Sequence, residues 1–144
     1  MSATNTPAET YPSRRKARKH AVEVLYSANA RDEAPTTVLR DTADRLGWAS
    51  HGWFAFAREI VAGVADETEA IDELIASSSE HWPIERMPRT DLAILRVGAW
   101  ELEHETAPVS VVISEAVHLA NELSTDRSGA FINGVLGKIA AQRG

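Results

Sequence analysis

Pro108-Val-Ser-Val-Val-Ile-Ser-Glu-Ala-Val-His-Leu-Ala-Asn-Glu-Leu-Ser-Thr-Asp-Arg-Ser-Gly-Ala-Phe-Ile-Asn-Gly-Val-Leu-Gly-Lys-Ile139 is the stretch whose spacing decides the fold class. Val109, Val112, Ile113, Ala116, Leu119, Ala120 and Leu123 recur at i, i+3, i+4 and i+7, the signature of one apolar helix face. Pro108 suits the first helical position, where its missing N–H would have no partner. The break at Ser124-Thr125-Asp126 offers side-chain oxygens to cap a second helix, whose stripe is Phe131, Ile132, Val135, Leu136 and Ile139. Gly134 and Gly137 interrupt that helix, each at a cost of about 1 kcal/mol relative to alanine. Three residues apart on one face, they predict close packing against another helix.

Upstream the same periodicity continues. Asp91-Leu-Ala-Ile-Leu-Arg-Val-Gly-Ala-Trp-Glu-Leu102 is apolar almost all round, as a helix in the middle of a bundle must be. Arg96 within it is either the buried partner of an acid or a side chain whose head reaches water. Asp66 to Ser79 reads as a helix through Ile71, Leu74 and Ile75, with Asp66 as its cap. Trp82-Pro83-Ile84 then leads through a turn. Trp48, Trp53, Phe54 and Phe56 crowd nine positions. They could stack on bases, but Ile60 and Val64 extend their spacing, which makes them core. Pro35 opens a helix with Val38, Leu39, Ala43 and Leu46 on one face and Gly47 at its end. Ser13 is a cap candidate for a helix over Arg14 to Ala30, built on Ala17, Ala21, Val24, Leu25 and Ala28. Residues 1–12 lack periodicity and read as a mobile tail, leaving residues 13–144 as the domain. No segment alternates with period two, and no repeat is visible. The expectation is one all-α domain of about six or seven helices.

The 144 residues can bury a real core, with 44% apolar and 25% charged residues. Zero cysteines exclude disulfides, thiol catalysis and zinc–thiolate sites. No apolar run approaches the roughly 20 residues that cross a bilayer. The first ten residues lack a signal peptide's apolar core, so a cytoplasmic protein is expected. Among the five histidines none stands at metal-motif spacing, and no nucleotide-binding or nucleophile motif occurs. The reading is a non-enzyme without metal or cofactor. Net charge is −6, yet Arg14, Arg15, Lys16, Arg18 and Lys19 concentrate five of the fifteen basic residues in six positions. The cluster sits at a helix start, where partial positive charge disfavours cations. A solvated helix start would explain it, and so would phosphate contact.

Four blocks in order carry a resemblance to a known family. They are Ser13-Arg-Arg-Lys-Ala-Arg-Lys-His-Ala-Val-Glu-Val-Leu-Tyr26, Ile60-Val-Ala-Gly-Val64, the Asp91–Leu102 helix, and the C-terminal stretch with its Phe131-Ile-Asn-Gly-Val-Leu136. Together, from about residue 13 to residue 140, they resemble the NusB family of bacterial transcription antitermination proteins. The resemblance implies a fold of two packed helical bundles. It implies binding of boxA elements in nascent RNA, with the ribosomal protein NusE as partner. Assembly with other Nus factors on RNA polymerase during ribosomal RNA transcription follows from the same likeness.

Residue by residue, the resemblance assigns RNA contact to Arg14, Arg15, Lys16, Arg18 and Lys19, and to Phe131 and Asn133 with the turn before them. One basic face, formed by the Arg14–Lys19 cluster and the turn at Ser124 to Ala130, is expected from this. Tyr26 and Asp91 match positions for NusE docking. Two positions depart from the family pattern. Arg127 stands where an acid is common, and could add a phosphate contact. Ala130 stands where lysine is usual. Phe131 belongs equally to the apolar stripe of its helix. Two other functions compete: a protein-interaction module recruiting a basic partner, or an accessory helical domain of an rRNA-modifying system, neither binding RNA itself. Monomer and homodimer are both open at this point.

Overall fold

The computed structural model describes residues 11–80 and 82–143, with the side chains of Tyr11 and Pro12 left aside. Among the described residues there are seven α-helices and no strand. They are α1 (Tyr11–Arg31), α2 (Pro35–Leu46), α3 (Phe54–Asp66), α4 (Thr68–Ser78), α5 (Arg89–His104), α6 (Val109–Leu123) and α7 (Asp126–Arg143). The all-helical expectation holds, and the chain divides into two compact units at Asp66/Glu67. The tail expected over residues 1–12 falls mostly outside the described residues. Because α1 already begins at Tyr11, Ser13 lies inside the helix and does not cap it.

In the first unit α1, α2 and α3 pack against one another. Ala17, Ala21, Val24, Leu25 and Ala28 of α1 are buried as their spacing requires. Pro35 stands at the head of α2, and Gly47 ends it with φ +69°, the left-handed conformation glycine enters without a Cβ penalty. Trp48, Trp53 and Phe56 are core, whereas Phe54 is half-buried. Leu46, placed by its spacing on the apolar face of α2, is exposed.

In the second unit α5 packs against α4, α6 and α7. Eleven of its residues, from Asp91 to Leu102, are buried. Arg96 resolves as an acid's partner: Nε and one terminal nitrogen each donate to an Asp72 carboxylate oxygen at 2.9 Å. The helix expected from Asp66 starts instead at Thr68, because Asp66 is the last residue of α3. His104 bonds Glu67 at 2.9 Å, while the buried Glu101 accepts from Thr106 Oγ1 at 2.6 Å.

The glycine expectation fails in an informative way. Among the described residues, nothing lies within 4 Å of a Cβ added at Gly134 or Gly137. The helix crossing that needs a glycine is at Gly98 of α5, where a Cβ would stand 2.7 Å from Leu136 Cδ1 of α7. Gly129 is similar, 2.9 Å from Asn121 Oδ1 of α6. Spacing identified a small-residue face on α7, but burial lies on its other side. Gly134→Ala and Gly137→Ala are therefore expected to stabilise the protein by up to about 1 kcal/mol each in urea titrations. Gly98→Val is expected to destabilise it by about 2–3 kcal/mol through overpacking against Leu136.

Candidate nucleic-acid interface

The basic cluster of α1 does not act as one patch. Successive residues turn by 100° around a helix, so the five cations divide between two faces. Arg14 and Arg18 turn towards α3. The Arg14 guanidinium carbon lies 4.1 Å from the centroid of the Phe56 ring, and that of Arg18 lies 5.5 Å from it. Arg18 is only 3% exposed. Its assignment to direct RNA contact is corrected by that burial, because a guanidinium closed inside the unit has no surface to offer a phosphate. Arg14 is half-buried and keeps part of its surface.

Arg15, Lys16 and Lys19 occupy the other face, with Lys16 exposed and Arg15 and Lys19 half-buried. Tyr26 continues this face at i+7 from Lys19 and i+11 from Arg15, and is 44% exposed. A phenol with nearly half its surface in water, on a helix whose next turns carry cations, is suited to a partner's surface. One turn after Lys16, on the flank of this face, His20 has its ring stacked at 4.5 Å on Trp53 and 4.6 Å from Trp48, with Nδ1 3.0 Å from Glu23 Oε1. These tryptophans are therefore occupied by the protein's own histidine and are not a platform for bases.

The second candidate region is the turn between α6 and α7. Thr125, Asp126, Arg127 and Ala130 are exposed, while Ser128 and Gly129 are buried. Residues 67–144 carry 13 acids against six arginines and lysines, so the exposed Arg127 is a local exception in an acidic unit. Phe131 is half-buried, its ring edge-on to Trp82 with centroids 5.1 Å apart. Both line a cavity of about 610 Å³ with Ser79, Gly134 and Lys138, and Lys138 is ion-paired to Glu80. Asn133 is exposed in a different groove, beside Asn121, Asp126 and Ser114. Phe131 and Asn133 thus lie on two flanks of α7. The structure does not bring them together.

Asp91 is the largest departure from expectation. It is 1% exposed, and its two carboxylate oxygens accept from Ser124 Oγ at 2.7 Å and Ser128 Oγ at 2.9 Å. Direct docking of a partner on Asp91 is corrected by this placement, since both oxygens face the interior hydroxyls of the α6–α7 turn. Ser124, which spacing treated only as a capping residue, and Ser128, which spacing gave no role, are the side chains that fix the turn. Their pairing with Asp91 spans 33 and 37 residues of sequence, and no local pattern announces it.

Among the described residues no group of acids and histidines could hold a metal ion, and no helix is long and apolar enough to cross a membrane. The two faces of α1 make separable stability predictions. Arg18→Ala is expected to lose about 2 kcal/mol in chemical denaturation, through lost stacking and packing of the buried side chain. Lys16→Ala is expected to stay within about 0.5 kcal/mol of the parent.

Comparison with known proteins adds a separate line of argument. A family model described as NusB family matches residues 15–141. The chain is 45% identical over 129 residues to the transcription antitermination protein NusB of Kineococcus radiotolerans, covering 89% of this chain and 93% of that protein. It is 47% identical over 135 residues to the NusB of Clavibacter sepedonicus, covering 90% and 96%. Its fold matches a T. maritima NusB structure with a TM-score of 0.81 at 30% identity, covering 90% of this chain and 91% of that one. It also matches a crystal structure of the antitermination factors NusB and NusE in complex with dsRNA. That match has a TM-score of 0.82 at 25% identity and covers 92% and 99%.

Proposed function

This chain belongs to the NusB family, and from that premise we propose that it acts in transcription antitermination as an RNA-gripping adaptor. It binds boxA RNA together with NusE and helps to assemble the complex with other Nus factors on RNA polymerase during ribosomal RNA transcription. It works in the cytoplasm, where that polymerase is. It is a binding protein and not an enzyme.

The observation that carries the proposal is the outward face of α1. Arg15, Lys16 and Lys19 sit on one side of a helix start that repels cations, although the fold makes no use of the exposed Lys16. Three cations within about one helical turn can meet neighbouring phosphates of a strand. The relative solved with NusE and dsRNA supports both partners. Tyr26, on the same face, is the residue proposed to meet NusE, with an exposed aromatic body and a polar tip.

Fluorescence anisotropy with a short labelled single-stranded boxA-type RNA, across a salt series and with or without NusE, tests this. The parent is expected to bind more weakly as salt rises, and more tightly when NusE is present. The variant carrying Arg15→Gln, Lys16→Gln and Lys19→Gln is expected to show a log–log salt slope smaller by about 2, at roughly 0.7 per phosphate contact on a single strand. Affinity that stayed flat with salt, with NusE still bound, would leave a protein-docking module in place of the RNA adaptor.

A further inference from the structure

Asp91 lies in the first turn of α5, two residues after the helix begins, and is buried. Burying a carboxylate is expensive unless hydrogen bonds and a favourable field offset it. Both are present here. The positive end of the helix dipole favours an acid in the first turn. Two serine hydroxyls from the α6–α7 turn donate to its oxygens.

Counting protons shows why a carboxylate stands there. Each hydroxyl has one proton to give. Ser124 gives its proton to Oδ1 at 2.7 Å and Ser128 gives its own to Oδ2 at 2.9 Å. Thr125 Oγ1, 3.1 Å from Ser128 Oγ, can then donate to that oxygen. The 3.0 Å approach of Ser124 Oγ to Ser128 Oγ has no proton left to fill it, and is the spacing of two donors drawn to one acceptor pair. An amide at position 91 offers one acceptor oxygen in place of two, so one hydroxyl must turn its proton elsewhere and both charge-assisted bonds are lost. The two serines are thus the anchors of the turn, and the next residue, Gly129, lies close to α6, where a Cβ would stand 2.9 Å from Asn121 Oδ1.

Between these anchors the chain is in water. Thr125, Asp126 and Arg127 are exposed, and Arg127 immediately precedes the buried Ser128. Anchoring the residues on both sides of Arg127 removes most of the backbone freedom its side chain would otherwise lose on binding.

We propose that Asp91 is a positioning residue for RNA binding: through Ser124 and Ser128 it holds the α6–α7 turn so that Arg127 meets a phosphate, without itself touching RNA or partner. This rests on the RNA-binding reading above. It replaces a contact role for Asp91 with an indirect one, and gives the departure at Arg127 a use.

The test is a double-mutant cycle read as the salt dependence of RNA binding, with the same short labelled RNA and the full chain. The parent, Arg127→Ala, Asp91→Asn and the double variant are compared. Arg127→Ala is expected to reduce the log–log salt slope by about 0.7, one single-strand phosphate contact. Asp91→Asn removes a negative charge and leaves every cation in place, so charge alone would strengthen binding to RNA. The expectation is the opposite: the same loss of about 0.7 in slope, with no further loss in the double variant. Ser128→Ala is expected to reproduce the effect from the other side of the bond. Thermal melts by circular dichroism confirm that each variant is folded at the temperature of binding.

A parental slope in Asp91→Asn and Ser128→Ala would overturn the inference alone, as would losses that simply add in the double variant. A parent protein without salt-dependent RNA binding would overturn the RNA reading and this inference with it. The two failures are told apart by the parent's own titration.

Discussion

A helix buried on every side has no wet face for its polar residues, and α5 is built under that constraint. Besides Asp91, its ten other buried residues include only one ionisable group, Glu101. Three charged side chains on this helix have partners from different places in the second unit, while the buried Trp100 indole N–H has none among the described residues. Asp91 takes two serines of the α6–α7 turn, Arg96 takes Asp72 of α4, and Glu101 takes Thr106 beyond the helix end. Apolar burial pulls α4, α6 and α7 onto α5 but is non-directional. The three polar pairings, with the 2.7 Å clearance at Gly98, select one register among the many that would bury similar area. The first turn of α7, which carries Arg127, is tied to one of those pairings, so the geometry of an exposed helix start is inherited from the centre of the unit.

The basic helix α1 obeys a different logic. Its cations gather where the helix dipole is least hospitable to them, and they divide between two faces. Arg14 and Arg18 cover Phe56, with stems and guanidinium planes closing the edge of the core. Arg15, Lys16 and Lys19 are left on the outer side. One sequence cluster thus serves packing on one face and electrostatics on the other. The division follows from the 100° rotation per residue and from the position of α3.

The exposed glycines of α7 also separate stability from use. Gly134 and Gly137 cost helix stability, and nothing within the described residues requires their lack of a side chain. Gly134 lines the Phe131–Trp82 cavity, which puts its cost on the surface of the second unit, away from the core.

Much of this was legible along the chain. Periodicity alone set the helix count, the encircled character of α5, the apolar positions of α1 and α2, and the role of Trp48, Trp53 and Phe56 as core, because burial of one face imposes a repeat that residue types record locally. The four blocks taken in order, from the Arg14–Lys19 helix to Phe131–Leu136, pointed to the family. Pairing across long separations was not legible, because hydroxyls and carboxylates carry no mark of their partner. The 33-residue reach from Asp91 to Ser124 moved an expected docking residue into the interior. The position of α3 buried Arg18, and α5 packed on one side of α7 only, leaving Gly134 and Gly137 in the open. Sequence fixes which faces a helix has. Tertiary structure decides which of them another helix covers, since that depends on neighbours brought together by burial elsewhere.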